Sequence, residues 1–438
     1  MKKKLLSALL GVAMVASLVM GCGAKEEPVA EAPAATEEAA TEEVVEAEEV
    51  TIKFGVIETL NITSDIWDNM ISAFETAHPN IKVEKVVVSG EDRTTAWKTM
   101  INSGEFPDIM VEASALGSMG IFAEVPEDVQ AIFNEDLFVE YGGKRTTFPA
   151  GSQYKGQCYY NKEIYAELGL EVPTTFEEFE ANCAAIKEAG ITPIMAAGSG
   201  DVWATGQMFW ISQADPMLSA AYPDFVKGLN EGTYKWNNEI TQKVLTAYKE
   251  LVDAGYYYEG ALSLSYSQAS EMFLNGEAGM IIDGSWMNAT IDGLEGGPDK
   301  FGVFVVPTID GTKAAIGNAG EWGVYNESEH KDACWEFVKF VFDEDTEYYK
   351  NWLAADGLFS ATKEPVTYEM GPTTTQFLKN IEGYTVYPEV MFVKGDYLVV
   401  PGIDTFSYKS YQNIFNGADV IEELEAWDAE YQRLLDAQ

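Results

Sequence analysis

Carboxylates and tryptophans recur next to the predicted strands of this 438-residue chain. The segment EAGMIIDGSW (277–286) has the pattern of a short buried strand that ends at Asp283 and is followed by Trp286. Ligands of an open α/β sheet lie beyond the carboxyl ends of its strands, so residues near these ends are candidates for ligand contact. On this basis the candidate site residues are Glu58, Thr59, Glu112, Asp201, Trp203, Asp283, Trp286, Glu321 and Trp322.

This mixture of side chains suits a sugar ligand. An aromatic ring covers the C–H face of a pyranose and excludes water, and an ionised carboxylate accepts hydrogen bonds from two hydroxyls. Hydrogen bonds that involve a charged group contribute about 1.5–3 kcal/mol each. Every candidate also has a structural alternative, because a tryptophan such as Trp286 or Trp322 could pack in a core and the carboxylates of an acidic chain are usually solvated.

Other functions use similar side chains. Carboxylates and aromatic faces also bind ammonium groups, so a receptor for a cationic ligand such as a polyamine is an alternative. Two carboxylates in a cleft could serve as acid and base in a surface glycoside hydrolase, and a surface adhesin would bind no small ligand. The sequence has no recognisable Ser–His, Cys–His or metal-ligand cluster, so we expect a protein without enzymatic activity, metal or cofactor.

The N-terminus has the features of an export signal. MKKK precedes an apolar run from Leu5 to Met20, which is shorter than the roughly 20 residues that span a bilayer. Such a segment is typical of a signal peptide, here residues 1–21. The following LVMGC is similar to a bacterial lipobox and predicts lipid attachment to Cys22, although Met20 replaces the smaller residue that is usual there. An ordinary signal peptide is the alternative.

Residues 22–49 predict an acidic, disordered tether. From Gly23 to Glu49 the chain consists mainly of Ala, Glu, Thr, Pro and Val, without an aromatic residue. Such a segment cannot bury enough apolar surface to fold. Its like charges favour an extended chain that would hold the folded part away from a membrane.

Composition narrows the choice of partners and the number of domains. The formal net charge of −43 repels phosphate backbones, so we expect no nucleic-acid partner. The chain after residue 49 has about 390 residues, enough for two lobes with separate cores. If Cys22 is lipidated, Cys158, Cys183 and Cys334 remain and allow at most one disulfide.

Alternating strand and helix patterns predict an α/β fold. VTIKFGVIE (50–58) alternates apolar residues as a strand does, and apolar residues between Ile66 and Phe74 share one face of the following helix. A strand, a helix and another strand follow, which is the pattern of a parallel α/β sheet. In a later helix, Thr174 and Glu177 have the spacing of a capping box.

Four segments resemble the extracellular (family 1) solute-binding proteins of carbohydrate ABC importers, the group that includes the maltose-binding proteins. No single motif is specific, but the four occur in the family's order behind the lipobox and tether, and they extend over nearly all of the folded part. They are NSGEFPDIMVEAS (102–114), YYNKEIYAELGLEVPTTFEEFEANCAAIKEAGITPI (159–194), FLNGEAGMIIDGSW (273–286) and EWGVYNESEHKDACWEFVKFV (321–341) with DGLFSAT (356–362).

The resemblance implies a two-lobed, periplasmic-binding-protein-like (type II) fold, in which each lobe is a mainly parallel sheet flanked by helices. Hinge strands would cross between the lobes near 156–160, 300–304 and 356–362. One lobe would comprise 50–157 plus 303–358 and the other 158–302 plus 359–438. A ligand would bind in the cleft between the lobes, which would close by a hinge motion.

The resemblance also implies partners and a location. A sugar or oligosaccharide would be the small-molecule ligand, and the loaded protein would dock on an ABC transporter permease in the membrane. The lipid on Cys22 would attach the chain to the outer face of the cytoplasmic membrane, in the cell envelope. We expect a monomer.

Overall fold

The computed structural model of the protein describes residues 49–59, 61–88, 93–200, 202–392, 399–400 and 402–437. The predicted signal peptide, Cys22, the tether up to residue 48 and the candidate Asp201 lie outside the described residues.

Within these ranges the chain forms ten strands and sixteen α-helices. The strands are β1 (Val50–Val56), β2 (Ile81–Val87), β3 (Ile109–Met110), β4 (Phe148–Lys155), β5 (Gln157–Asn161), β6 (Thr192–Met195), β7 (Ala278–Asp283), β8 (Phe301–Val305), β9 (Ala314–Val324) and β10 (Thr385–Tyr387). The helices are α1 (Ser64–Ala77), α2 (Arg93–Ser103), α3 (Glu127–Gln130), α4 (Lys162–Leu168), α5 (Phe176–Glu188), α6 (Gln207–Ala221), α7 (Phe225–Asn230), α8 (Glu239–Asp253), α9 (Tyr266–Leu274), α10 (Trp286–Gly293), α11 (Gly297–Lys300), α12 (Lys331–Lys339), α13 (Glu347–Ala355), α14 (Pro372–Asn380), α15 (Ile403–Phe415) and α16 (Val420–Leu435).

The first sheet is built on the N-terminal βαβ unit. Its order is β10-β9-β3-β1-β2, and β4 also pairs with β9. β1 runs parallel to β2 and β3, whereas β9 runs antiparallel to β3 and β4. The predicted alternation in β1 is confirmed, since Ile52, Phe54 and Val56 are fully buried. Met70, Ile71 and Phe74 of the predicted apolar face of α1 are buried as well. Trp67, which the prediction did not include, is also buried, and its ring lies 5.6 Å from that of Phe54.

The second sheet has the order β6-β7-β5-β8. β5 lies between β7 and β8 and runs antiparallel to both, while β6 and β7 are parallel. All five residues of β5 are buried. A separate hydrophobic core packs on this sheet, and its helices α6 and α16 bring the rings of Trp210 and Trp427 to 5.1 Å.

The chain passes between the two sheets at several places. β4 belongs to the first sheet and β5 to the second, and only Gly156 separates them. Gly156 has φ +75°, and a Cβ there would lie 2.8 Å from the backbone nitrogen of Ser212. The passage back to the first sheet follows Val305, so the predicted lobe boundary at residue 303 falls inside β8. Later, Phe359 forms a β-bridge with Ser152 on β4.

The start of α5 differs from its prediction by one residue. The N-cap is Thr175, whose side chain accepts a hydrogen bond from the backbone of Glu178 at 3.2 Å. The predicted capping box of Thr174 and Glu177 is therefore wrong. Glu178 instead accepts from the Thr174 backbone and hydroxyl, at 2.7 and 2.8 Å. The helical periodicity places α5 correctly. Either of the two adjacent threonines could cap the helix, and the geometry of the preceding loop determines which one does.

The three described cysteines are buried and unpaired, so no disulfide joins Cys158, Cys183 and Cys334. Burial raises the pKa of each thiol. In the part of the chain that the structure describes, no helix combines the length and the apolar character needed to cross a bilayer.

Candidate ligand-binding cleft

A cleft of about 1240 Å³ has walls from the regions of both sheets. On one wall lie Glu112, Glu321 and Asp356, from segments that pack on the first sheet. On the other wall lie Trp203 and Tyr408, which pack against the core of the second sheet. The cleft therefore has the size and position to enclose a ligand of several rings.

Four of the predicted site residues line this cleft. They are Glu112, Trp203, Glu321 and Trp322. Glu58 and Thr59 are exposed and are not among the lining residues: Glu58 accepts from Lys85 Nζ at 3.3 Å, and the Thr59 hydroxyl accepts from the backbone of Ile62 at 3.0 Å. Asp283 and Trp286 are not lining residues either: Asp283 is buried, and the partly exposed Trp286 meets the Trp203 ring edge to face.

Glu112 is held in an unusual backbone conformation. It follows β3 with φ 57°, and no other described residue except glycine has a positive φ. Its carboxylate accepts two hydrogen bonds from the Arg93 guanidinium, each of 2.9 Å. A positive φ is costly for a residue with a Cβ and is found mainly where the surroundings enforce it. The ion pair thus fixes one acidic group at the cleft wall.

Glu321 and Trp322 are neighbours on β9 and point to opposite faces of the sheet. Glu321 accepts from the Tyr141 hydroxyl at 2.7 Å and from the Thr147 hydroxyl at 3.0 Å. Burial, followed by the charge of Glu321, raises the pKa of Tyr141. Only 1% of Trp322 is exposed, and its ring packs 5.2 Å from Phe54 and from Trp352. This placement favours the packing alternative for Trp322.

Trp286 is linked to Asp283 through Tyr266. The Trp286 indole donates to the Tyr266 hydroxyl at 2.6 Å, and Tyr266 donates to Asp283 at 2.7 Å. Burial raises the pKa of Asp283 to about 7, against the opposing effect of the hydrogen bond from Tyr266. The Trp203 ring lies 5.0 Å from Tyr266 and 6.1 Å, edge to face, from Trp286. These groups support the ring that faces the cleft.

Several cleft residues were missed by the sequence reasoning. Arg93, Tyr141, Asp356 and Tyr408 all line the cleft. Asp356 follows α13, and burial together with the nearby Glu112 raises its pKa to about 7. It begins the segment DGLFSAT (356–362), one of the segments that resemble the family of solute-binding proteins. The other three lie on helices or in loops whose position depends on the tertiary fold.

Some lining residues carry buried polar atoms without a hydrogen-bond partner in the described part of the chain. They are the Trp97 and Trp352 indole nitrogens, the Thr146 hydroxyl and the Asn318 side-chain oxygen. Within the same ranges, no group of three or more His, Cys, Asp or Glu side chains is placed to hold a metal ion. The cleft thus offers donors, acceptors and an aromatic ring.

A family model for bacterial extracellular solute-binding proteins matches residues 61–348. The chain belongs to this family. A relative of this solute-binding protein, the multiple sugar-binding protein of Streptococcus mutans, is 25% identical over 287 residues, which cover 62% of this chain and 66% of that protein. A putative binding protein of Brucella abortus is 22% identical over 333 residues, 73% of this chain and 78% of the relative.

Solved structures match over nearly the whole folded part of this solute-binding protein. A chitin oligosaccharide binding protein has a TM-score of 0.74 at 22% identity and covers 89% of this chain and 99% of its own. The solute-binding protein RafE in complex with raffinose has a TM-score of 0.68 at 18% identity, and the match covers 88% of this chain and 99% of RafE. The predicted family resemblance and the predicted two-lobed, type II α/β fold are therefore confirmed.

Proposed function

We propose that this protein captures a sugar or oligosaccharide in the cleft and delivers it to the permease of an ABC importer. The observation that carries the proposal is the composition of the cleft, in which the Trp203 ring and the carboxylates of Glu112 and Asp356 come from opposite walls. A ring can cover the apolar face of a pyranose, while carboxylates and unpartnered polar atoms bind its hydroxyls.

The known relatives support a sugar as the ligand. A relative is a multiple sugar-binding protein, and similar structures include proteins that bind chitin oligosaccharide or hold raffinose. The volume of this cleft, about 1240 Å³, and the oligosaccharides named for those proteins support a site for more than one ring. We propose that the lobes are 50–157 plus 303–358 and 158–302 plus 359–438, with the boundary at residue 303 moved to the end of β8 after Val305 and closure at the passages between the sheets. At one of these passages, Gly156 alone separates β4 from β5.

The anchor and location are part of the same proposal. Residues 1–21 would be removed as a signal peptide, and the lipid on Cys22 would hold a monomeric protein at the outer face of the cytoplasmic membrane. In a bacterial host, the wild-type chain should enter the membrane fraction and incorporate labelled fatty acid. Cys22→Ala should abolish the labelling, and labelled protein in that variant would contradict the anchor.

Calorimetry with a panel of neutral mono- and oligosaccharides tests the central proposal. We expect saturable heat from at least one saccharide, accompanied by a change in tryptophan fluorescence and a higher melting temperature, because a ligand that binds only the folded state stabilises it. Mass spectrometry of the incubated saccharide should show intact ligand. Hydrolysis products would favour a glycoside hydrolase instead, and absence of binding by every saccharide would refute the proposal.

A further inference from the structure

We propose that the ligand carries a protonated amine, which Asp356 and Asp404 bind from the two walls of the cleft. The inference rests on the proposed capture of a sugar and specifies its chemical class as an amino sugar. The shared chemistry, an ammonium group, also occurs in aliphatic polyamines, and the experiment below separates these two sources.

The first argument is the charge balance of the cleft. Its described lining contains three basic side chains, Arg93, Lys144 and Lys155, and five acidic ones, Glu112, Glu124, Glu321, Asp356 and Asp404. Each basic side chain has a carboxylate of the protein within ion-pair distance. Arg93 binds Glu112, Lys144 lies 3.2 Å from Glu124, and Lys155 contacts the buried Glu389. The three basic side chains of the described lining are thus already paired with carboxylates.

Asp356 has no comparable partner. It is only partly exposed and lines the cleft, and its backbone N–H donates to the Trp352 carbonyl at 3.1 Å. Its carboxylate makes no hydrogen bond or ion pair with any described residue. Arg93, a cation that acts on it, forms a two-pronged ion pair with Glu112, whose negative charge also acts on Asp356. A cation from outside the protein would therefore meet a carboxylate that no described cation pairs with.

Asp404 provides a second carboxylate from the other wall. It lies in the first turn of α15, whose backbone dipole favours a negative charge at this end. The side chain is partly exposed at the cleft and forms no ion pair with a described residue. Because Asp356 follows α13 of the first core and Asp404 begins α15 of the second, one ligand could bring both walls together.

A separate observation near Asp356 indicates a polar ligand. Trp352 lies one helical turn before it, is 6% exposed and lines the cleft, but its indole N–H has no acceptor in the described residues. The Asn318 side-chain oxygen on β9 also lines the cleft and lacks a donor within the described ranges. Buried polar atoms are normally hydrogen-bonded. The Trp352 indole N–H and the Asn318 side-chain oxygen could therefore bind an acceptor and a donor of a ligand. The hydroxyls of a sugar supply both donors and acceptors.

The charge of the ligand distinguishes an amino sugar from a neutral one. A hydroxyl can donate to a carboxylate but leaves its charge in place, and closure of the cleft would remove the water that screens it. An ammonium group donates hydrogen bonds and neutralises the charge at once. The high net negative charge of the chain, −43, also attracts cationic ligands over a distance.

The test compares two ligands that differ mainly in charge, a glucosamine oligosaccharide and its N-acetylated form, together with spermidine. Calorimetry at pH 7 should give at least tenfold tighter binding of the amine form by the wild-type protein. Asp356→Asn and Asp404→Asn should each reduce this ratio to about threefold or less while binding of the N-acetylated form is retained. Asp299→Asn removes one exposed charge outside the cleft and should leave the ratio unchanged.

The outcomes separate the inference from the proposed function. Equal or tighter binding of the N-acetylated form would overturn the inference and leave sugar capture intact. Binding of spermidine without either saccharide would uphold amine recognition but refute the sugar. Binding of none of the three ligands would contradict both. If Asp356→Asn fails to fold, judged by its thermal transition, the Asp404→Asn variant decides the outcome alone.

Discussion

Trp286 donates its indole N–H to the hydroxyl of Tyr266 over 2.6 Å. Tyr266 in turn connects the partly exposed Trp286 to the buried Asp283. Of the two rings that meet edge to face, Trp203 lines the cleft and Trp286 is not among the lining residues. The two tryptophans of the predicted site thus differ in position, and this difference leads to the first prediction.

Trp203→Ala should weaken saccharide binding by about 1–3 kcal/mol, because a large ring is removed from the surface that meets the ligand. Trp286→Phe keeps a ring next to Trp203 and removes only the donation to Tyr266, so we expect a loss below about 1 kcal/mol. Calorimetry with a saccharide found in the panel measures both. A larger loss for Trp286→Phe than for Trp203→Ala would show that Trp286 makes the direct contact.

The buried Asp283 should make stability depend on pH. Burial raises its folded-state pKa to about 7, whereas an exposed aspartate in the unfolded chain titrates near 3.9. Between these values the folded state holds the proton more tightly, so the free energy of unfolding should fall as pH rises from about 4 to about 7. Asp283→Asn mimics the protonated form and should flatten this slope in urea titrations between pH 4.5 and pH 8.

Asp356 should also lower the free energy of unfolding as pH rises, since its folded-state pKa is raised to about 7 as well. Asp356→Asn should therefore remove a second part of the slope, and the exposed Asp299→Asn should leave it unchanged. A slope that is the same in the wild type and Asp283→Asn would mean that Asp283 is ionised in the folded protein at all these pH values.

Gly156 joins the strands of the two sheets with φ +75°. Gly143 has the same φ, but a Cβ there would meet no atom within 4 Å, which makes it a matched control. Gly143→Ala should cost about 1–2 kcal/mol for the left-handed backbone alone. Gly156→Ala should cost about 1–3 kcal/mol more, because its Cβ would clash with the Ser212 backbone. Urea denaturation compares the two, and equal losses would refute the clash.

Lys155 forms an ion pair with Glu389 beside the buried Asp215. The side chains of Lys155 and Glu389 are 13% and 1% exposed. Burial and the neighbouring Glu389 raise the pKa of Asp215. Lys155→Met would leave Glu389 buried without its cation and should destabilise the fold by about 3–5 kcal/mol.

Lys249→Met provides the control, because Lys249 pairs with Asp253 on the surface of α8 at 2.9 Å. Exposed pairs of this kind contribute less than about 1 kcal/mol. Denaturation of both variants at pH 7.5 gives the comparison. Losses of similar size would mean that the Lys155 pair is hydrated rather than buried.

The sequence by itself determined the α/β class, several of the strands and helices, and the family. Apolar periodicity placed β1 and α1, because burial on one face imposes a repeat that any local window contains, and a short continuous apolar run placed β7. The four family segments identified the two-lobed fold. The rule that ligands lie beyond strand ends selected Glu112, Trp203 and Glu321, which line the cleft.

Only the tertiary structure decided which of the candidates face a common space. Adjacent residues on β9 point to opposite faces, so which of Glu321 and Trp322 packs into the first core depends on how β9 pairs with β3 and β4 across more than 150 residues of chain. Asp356, Asp404 and Tyr408 join the cleft through the packing of α13 and α15. Local sequence patterns indicate which side chains are buried. They do not indicate which distant segment a side chain contacts, because that depends on the long-range pairing of strands in the sheets.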